Sequence, residues 1–445
     1  MGETRSVQTR GLGVGLLALS LSLMPKPGIG EALRLSPGAT DKKTVPLTLA
    51  AQPGKSSICL AQFSRAIETT MHHPSLLRSR WGVSIQTLTP EAGRSKILYE
   101  RAAQQYFVPA STVKLLVTAA ALHHFGPTFR IRTAIYGSFE GAPGDTLSDT
   151  DSDPEIMLRF RGEGDPSLTQ TQLTHLAKQL RQQGIHQIGQ LAVERDRFRG
   201  SAANPTWEWS DLHFPYAPRI NSLILHQNAT RVQFVPRRLH QPLQIIWSDP
   251  LVANQWQIRN QSIVVEPVPD PKTATRINIE QPPGASILTV KGQLPLGAAP
   301  VSANLAIPDP DLYFVKHLHQ ALTTEGIVAD RIVLIARSDP QPNAQLQELA
   351  AVESPSLAQL ILETNQNSNN LYAEVLLRQL GAVFEAAAVD PSLPDSATST
   401  ADRGLAAVKQ ILTALGVDAN SYYPADASGL SRHNKVSPEA LVQTL

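Results

Sequence analysis

The chain has 445 residues, a length that corresponds to about three domains. With 42% hydrophobic and 17% charged residues it can form large globular cores, and this composition excludes extensive disorder. The net charge is +1 and only 5% of residues are aromatic, so the chain lacks the basic excess of nucleic-acid-binding proteins, and we expect no nucleic-acid partner.

The N-terminal residues have the pattern of an export signal. Arg5 and Arg10 precede an apolar run over residues 11–25, which is shorter than the roughly 20 apolar residues that a membrane-spanning helix needs. An uncleaved anchor is the alternative interpretation. We predict a signal peptide at 1–32 and a flexible lead-in rich in Pro, Gly, Ser and Thr at 33–57. The expected location is therefore outside the cytoplasm, in the periplasm or cell envelope.

Helical and strand patterns follow in a regular order after the lead-in. Residues 63–80 predict a helix, and residues 81–88 and 96–100 predict two strands that can pair as a hairpin. A long apolar helix is predicted for residues 111–124, and it ends before a Gly-Pro pair, since these residues terminate helices. This part of the chain therefore mixes helices and strands.

The chain changes character between residues 131 and 301. Short strand-like runs recur in 131–301, and the main helical pattern there is 169–184. We predict that 131–301 is an inserted, mostly β region of one or two small modules. Helical periodicity returns in 310–327, in 356–384 and in 403–415.

A serine and a lysine stand one helical turn apart in the apolar segment VPASTVKLLVTAAAL. Ser111 and Lys114 are at positions i and i+3, so both project from one face of the helix. A serine hydroxyl is a weak nucleophile without a neighbouring base, and lysine acts as that base only where its surroundings lower its pKa. The alternative is chance, because many helices contain a serine three residues before a lysine.

A second polar group precedes a later apolar helix pattern. Ser368, Asn369 and Asn370 form an S-x-N triplet in NQNSNNLYAEVLLRQLG. Ser368 can relay a proton or hold Lys114 by a hydrogen bond, and the Asn370 amide offers a donor and an acceptor to a substrate peptide bond. The alternative is a cluster of helix-capping residues, because Ser and Asn are favoured at helix N-termini.

The S-x-x-K and S-x-N pairs together are typical of penicillin-recognising serine enzymes. Their flanks, PASTVKLLVTAAALHHFGPTFRIRT and NSNNLYAEVLLRQLG, closely resemble the D-alanyl-D-alanine carboxypeptidase/endopeptidase family, the class C low-molecular-mass penicillin-binding proteins. Three further stretches carry the same resemblance: GEGDPSL (162–168), TWEWSD (206–211) and DASGLSRHN (426–434). The resemblance covers nearly the whole chain after the lead-in.

The resemblance implies an α/β fold of the penicillin-binding and serine β-lactamase type, with an antiparallel sheet flanked by helices. Residues 58–130 and 302–445 would form this catalytic domain, and 131–301 would be the large insertion that the family carries between its first two motifs. The resemblance also implies a partner, the peptidoglycan stem peptide, and inhibition by penicillin and other β-lactam antibiotics.

Four residues match the family's functional positions. The resemblance makes Ser111 the acylated nucleophile and Lys114 the base that activates it. Ser368 and Asn370 match the second motif, so Ser368 is a candidate catalytic residue and Asn370 a candidate substrate-binding residue. The implied activity is that of a serine-type D-Ala-D-Ala carboxypeptidase or endopeptidase, without a metal or cofactor.

The sequence also departs from the family pattern. The family's third motif, Lys-Thr/Ser-Gly on a later strand, does not appear between residues 426–434 and Leu445, so we expect a C-terminally incomplete catalytic domain. The similar Lys272–Ala274 lies inside the insertion and has Ala for Gly. Glu194 and Asp196 stand where the family has Asp and Ser, in a region where an acidic residue of relatives contacts a cationic end of the substrate.

Two alternatives to an active peptidase remain, and the missing third motif favours the first. The first is a truncated, catalytically impaired relative that binds peptidoglycan without turnover. The second is a β-lactamase or esterase on the same scaffold, against which the large insertion and the motif flanks argue.

Overall fold

The computed structural model describes residues 60–87, 95–137, 156–281, 287–337, 346–384 and 399–445. The predicted signal peptide and lead-in lie outside these residues. The described residues form nine α-helices: α1 (Leu60–Met71), α2 (Lys114–Phe125), α3 (Gln170–Gln182), α4 (Pro271–Ala274), α5 (Pro310–Thr324), α6 (Leu357–Gln366), α7 (Asn370–Val383), α8 (Thr400–Ala414) and α9 (Pro438–Thr444). None of these helices has the length and apolar character needed to cross a membrane.

The same residues form fifteen strands in five sheets. They are β1 (Val83–Gln86), β2 (Ile97–Arg101), β3 (Arg132–Gly137), β4 (Met157–Arg161), β5 (Gln187–Arg195), β6 (Ala229–Val235), β7 (Gln244–Trp247), β8 (Gln257–Val265), β9 (Arg276–Glu280), β10 (Ile287–Pro295), β11 (Val301–Ala306), β12 (Val328–Ala336), β13 (Gln347–Glu353), β14 (Tyr422–Tyr423) and β15 (Lys435–Val436).

A helical layer surrounds the predicted nucleophile. Helix α2 contacts α6, α7, α8 and α9, and their apolar side chains share one core. Helix α2 is rich in Ala and Leu, which favour helix formation, and it ends at Gly126, whose positive φ of 77° suits glycine. Strands β1 and β2 pair antiparallel, as predicted, and α9 contacts β1.

A five-stranded mixed sheet has the order β12-β5-β4-β3-β13. Strand β5 is parallel to both β4 and β12, whereas β3 is antiparallel to β4 and to β13. Helices α3 and α5 pack against each other. Helix α3 also contacts β13, and α5 contacts β12. The core between these helices and the sheet includes Phe160, Leu173 and Phe314. A capping box of Thr169 and Gln172 fixes the start of α3.

Two three-stranded sheets, β8-β10-β9 and β11-β6-β7, share a third apolar core. Most strands of the described residues, β3 to β11, lie between residues 131 and 306. The five-stranded sheet, however, also contains β12 and β13, which follow residue 301. These two strands pair directly with β5 and β3, so residues on both sides of position 301 contribute to one sheet.

The first helix is shorter than the pattern of residues 63–80 predicts. Helix α1 ends at Met71, and a separate 3₁₀ turn covers Pro74–Leu76. The reason is Pro74, which lacks a backbone N–H and disfavours helical conformation in the residue before it.

Candidate active site

Lys114 is the centre of the site. Its Nζ lies 3.1 Å from Ser111 Oγ and donates a 2.8 Å hydrogen bond to Asn370 Oδ1. It also donates to the backbone carbonyl of Ser428. Three segments that are distant in the sequence, the start of α2, the start of α7 and the loop before β15, therefore meet at one amine.

The surroundings of Lys114 favour a neutral amine. Its side chain is 1% exposed, and burial lowers its pKa to about 8, although the negative charges of Asp426 and Glu374 act in the opposite direction. Ser111, in contrast, is exposed on a 3₁₀ turn, Ala110–Val113, that leads into α2. The site thus combines a buried amine, which can act as a base, with a solvent-exposed hydroxyl that a substrate can reach.

The S-x-N triplet lies in the break between α6 and α7. Asn370 is the first residue of α7, and its Nδ2 donates to the Tyr216 carbonyl at 2.7 Å while its Oδ1 faces Lys114. Asn369 caps α7 by accepting a hydrogen bond from the Tyr372 amide, as expected for Asn at this position. Asn370 therefore connects the buried amine to the backbone of Tyr216.

Ser368 occupies a strained position in this break. Its φ of 54° lies in the left-handed region, which is uncommon outside glycine, Asn and Asp. The side chain is exposed, and within the described residues it makes no hydrogen bond to Ser111 or Lys114. The predicted hydrogen bond between Ser368 and Lys114 is thus not observed, because Asn370 and the Ser428 carbonyl take that place.

The loop DASGLSRHN (426–434) is built around one buried carboxylate. Asp426 is 0% exposed and accepts hydrogen bonds from five groups: Trp207 Nε1, Ser428 Oγ, the Gly429 amide, the Ser431 amide and Asn434 Nδ2. Because charge-assisted hydrogen bonds of this kind are strong, they fix the loop and hold the Ser428 carbonyl against Lys114.

Gly429 brings this loop into direct contact with the nucleophile. Its φ is +83°, and a Cβ at this position would lie 1.9 Å from the Ala110 carbonyl oxygen and 2.8 Å from the Ser111 backbone nitrogen. Only glycine fits this approach. The loop therefore positions both members of the S-x-x-K pair.

A buried ion pair on α7 supports the loop from the other side. Glu374 Oε2 accepts a 2.7 Å hydrogen bond from Arg378 Nη1, and Glu374 Oε1 accepts from the amides of Ala427 and Ser428. Burial raises the pKa of Glu374, while Arg378 and the backbone amide of Ala427 favour its charged form. Sequence reasoning missed this pair; the signal was two opposite charges four residues apart in an otherwise apolar helix.

The acidic residues noted in the sequence are already paired. Glu194 is 2% exposed and lies 3.3 Å from Arg159 Nη1 and 3.1 Å from Arg161 Nε. Its charge is compensated within the five-stranded sheet, so Glu194 is not free to bind a cationic group. Asp196 has a positive φ of 70° and lies 3.6 Å from Arg195.

The remaining motif candidates lie apart from Lys114. Lys272–Ala274 belongs to the short helix α4, which contacts β10 in a three-stranded sheet. Among the described residues, no group of three or more His, Cys, Asp or Glu side chains is arranged to hold a metal ion.

Comparisons with known proteins identify the family of the chain. The model of the D-Ala-D-Ala carboxypeptidase 3 (S13) family matches residues 63–445. A D-alanyl-D-alanine carboxypeptidase of Actinomadura sp. is 26% identical over 395 residues, which cover 87% of this chain and 68% of the relative. Penicillin-sensitive carboxypeptidase A of Dictyostelium discoideum is 24% identical over 383 residues, which cover 83% of this chain and 69% of the relative.

A solved structure shares the fold. The crystal structure of penicillin binding protein 4 (dacB) from Haemophilus influenzae superposes with a TM-score of 0.61 at 24% sequence identity, covering 79% of this chain and 72% of that one. This confirms the α/β penicillin-binding fold that the sequence predicted. The family match extends over most of the chain, so this protein belongs to the D-Ala-D-Ala carboxypeptidase 3 (S13) family and is a carboxypeptidase of the serine type.

Proposed function

We propose that Ser111 is the nucleophile of this carboxypeptidase and that Lys114 is its general base. One observation carries the proposal: the exposed Ser111 hydroxyl lies 3.1 Å from the amine of a lysine that is buried. The burial brings the Lys114 pKa to about 8, so a useful fraction of the amine is neutral near pH 7. A neutral amine at hydrogen-bond distance can accept the serine proton during attack.

The reaction proceeds through an acyl-enzyme. Ser111 Oγ forms a bond to the carbonyl carbon of the penultimate D-Ala while Lys114 takes the hydroxyl proton. The peptide C–N bond then breaks, and the proton passes to the amine of the departing D-Ala. Water attacks the resulting ester, with Lys114 again accepting the proton, and Ser111 is regenerated.

The second motif serves binding and proton transfer in this proposal. Asn370 orients Lys114 and offers its amide to the substrate backbone, which is consistent with its place between Lys114 and the Tyr216 carbonyl. Ser368 is exposed beside it and is proposed to relay the proton to the leaving amine once substrate closes the gap. The Ser111 backbone N–H is the proposed donor to the developing oxyanion.

The proposed substrate is the stem peptide of peptidoglycan, with the D-Ala–diaminopimelate cross-link as a second substrate for endopeptidase cleavage. β-Lactams are proposed to acylate the same serine and to leave slowly. Because peptidoglycan is assembled outside the cytoplasm, the proposal includes export to the periplasm or cell envelope.

The test is the intact mass of the purified protein after incubation with benzylpenicillin. We expect one covalent adduct that is absent in Ser111→Ala and retained in Ser201→Ala, a control at another exposed serine. Absence of an adduct in well-folded protein would contradict the proposed nucleophile.

Turnover is measured separately, as D-Ala released from diacetyl-L-Lys-D-Ala-D-Ala. Release that depends on Ser111 is the expected result. An adduct with benzylpenicillin but no release of D-Ala would instead favour the catalytically impaired relative that binds peptidoglycan without turnover. Rapid release of hydrolysed penicillin would indicate a β-lactamase.

A further inference from the structure

A left-handed turn leads into strand β6. Its residues His226, Gln227 and Asn228 have φ values of 49°, 57° and 51°. Residues other than glycine adopt this conformation singly and not in succession, because the Cβ atom crowds the following carbonyl oxygen. Backbone strain of this kind persists only where the surrounding structure imposes it, and it is concentrated at functional sites.

The two outer residues of the turn are held by their own surroundings. His226 Nε2 accepts a 3.1 Å hydrogen bond from the Gln170 amide, and its Nδ1 lies 2.9 Å from the Tyr313 hydroxyl. Asn228 is fully buried, and its Nδ2 donates to the Arg219 carbonyl at 2.9 Å. His and Asn are also among the residues that tolerate a positive φ best. The conformation of these two residues therefore needs no further explanation.

Gln227, between them, differs in both respects. It is exposed, and Gln has no special tolerance for a positive φ. Its one side-chain hydrogen bond within the described residues joins its Oε1 to Asn369 Nδ2 at 2.9 Å. Because Asn or Gly would suit the backbone better, the presence of Gln indicates a role for this contact.

The contact holds the middle residue of the S-x-N triplet. Asn369 Oδ1 accepts a hydrogen bond from the Tyr372 amide and so caps α7. Asn369 Nδ2, at the other end of the same amide, donates to Gln227 and, at 3.2 Å, to Glu363 Oε1. The Asn369 side chain is therefore fixed at both ends, and Gln227 is the partner that comes from outside helices α6 and α7.

Ser368 is the member of the triplet that depends on this contact. Asn370 is fixed by its own hydrogen bonds to Lys114 and the Tyr216 carbonyl. The Ser368 hydroxyl, in contrast, is exposed and has no hydrogen-bond partner among the described residues, and its backbone has a positive φ of 54°. Because Asn369 is the next residue, the direction of this hydroxyl depends on how firmly Asn369 is held.

We propose that Gln227 is a positioning residue for catalysis, which holds Asn369 and thereby fixes the Ser368 hydroxyl for proton transfer to the leaving group. The proposal rests on the proposed function, which assigns that step to Ser368. In this step the Ser368 hydroxyl gives its proton to the leaving nitrogen and receives the proton held by Lys114. Gln227 touches no reacting atom, so it affects the rate of this step and not the binding of the substrate.

The experiment is stopped-flow acylation by benzylpenicillin, which separates the limiting rate of acylation from the dissociation constant of the complex that precedes it. Gln227→Asn shortens the side chain by one methylene and withdraws it from Asn369, whereas Asn keeps the left-handed conformation. We expect the limiting rate to fall about fivefold, the effect of one neutral hydrogen bond, and the dissociation constant to change by less than about twofold.

Two further variants separate the contact from the conformation of the turn. Gln227→Glu keeps an acceptor oxygen at the same reach and should acylate at the wild-type rate. Gln227→Gly removes the side chain but suits the positive φ, so it should remain folded and acylate as slowly as Gln227→Asn. Gln187→Asn is the matched control, because Gln187 is also exposed and also makes one side-chain hydrogen bond, to Asp330 at 3.0 Å.

A double-mutant cycle tests whether Gln227 acts through Asn369. Asn369→Ser keeps a side chain that can cap α7 but loses the donor to Gln227. We expect Gln227→Asn to have no effect on the limiting rate when Asn369→Ser is already present. Additive losses of rate, a wild-type rate in Gln227→Asn, or a slow Gln227→Glu would each overturn the proposal.

Failure of the proposed function is distinguishable from failure of the positioning role. If wild type forms no adduct with benzylpenicillin, or if Ser111→Ala still forms it, the proposed chemistry is wrong and the role of Gln227 is wrong with it. If wild type reacts through Ser111 and Gln227→Asn reacts as fast as the Gln187→Asn control, only the positioning role is wrong.

Discussion

The pH dependence of acylation reports directly on the protonation of Lys114. Only the neutral amine accepts the Ser111 proton, and with a pKa of about 8 roughly one tenth of Lys114 is neutral at pH 7. A lysine at the ordinary value of 10.5 would be only about 0.03% neutral there. We therefore expect the acylation rate to rise about tenfold per pH unit up to about pH 7 and to level off above pH 8.

The same shift predicts a change in stability with pH. The folded pKa of Lys114 lies below its unfolded value, so the unfolded state binds more protons between pH 8 and 10.5 and stability rises through that window. The difference between the folded and unfolded pKa of Lys114 destabilises the fold by about 3 kcal/mol at pH 7 and by about 2 kcal/mol at pH 9. Wild type should therefore gain about 1 kcal/mol over this range relative to Lys114→Met.

The assays are stopped-flow acylation by benzylpenicillin between pH 5.5 and 10, and urea unfolding at pH 7 and 9. Lys178→Met, at an exposed lysine of α3, is the control and should follow wild type in both. A rate that keeps rising tenfold per unit through pH 10 would mean that the lysine is not perturbed. A rate independent of pH would exclude a titrating base.

Three further predictions concern the support of the site and the core. Gly429→Ala places a Cβ against the backbone of Ala110, next to the nucleophile, so we expect acylation to slow at least about tenfold. The control is Gly297→Ala, which also has a positive φ, +81°, but has open space around it and should leave acylation unchanged. Glu374→Ala leaves the buried Arg378 and two backbone amides without their acceptor, so it should lower the free energy of unfolding in urea by about 3–5 kcal/mol. Glu374→Gln keeps one acceptor oxygen and should lower the free energy of unfolding by less. Leu173→Ala, in the core under the five-stranded sheet, should lower stability by about 2–5 kcal/mol without changing the acylation rate measured below the unfolding transition.

Local patterns predicted the elements that carry the site. The apolar run of residues 111–124 forms a 3₁₀ turn and helix α2, and the two predicted strands are found as the antiparallel pair β1 and β2. The S-x-N triplet was predicted just before an apolar helix, and the structure places it at the start of α7. These features depend on residues close in the sequence, which is why they are readable without a structure.

The hydrogen bonds of Lys114 could not be predicted from local sequence patterns, because its partners are far away in the sequence. Asn370 and Ser428 belong to separate motifs of the sequence, and no local pattern shows that an amide oxygen and a backbone carbonyl reach the same amine. The pairing of β12 with β5 could not be predicted from local patterns either, because strand order in a mixed sheet depends on the path of the whole chain. The role of Asp426 depends on five donors, one of which, Trp207, lies on a distant segment that only the fold brings near.

The convergence of distant segments on Lys114 also bears on how the protein folds. Its hydrogen bonds to Asn370 and Ser428 join residues 256 and 314 positions apart. Closing a loop of that length costs about 5 kcal/mol of chain entropy, and contacts of such high order form slowly. A chain in which the loop around Asp426 has not yet closed over Lys114 lacks the arrangement on which the proposed chemistry depends, so we expect activity to appear only after these long-range contacts form.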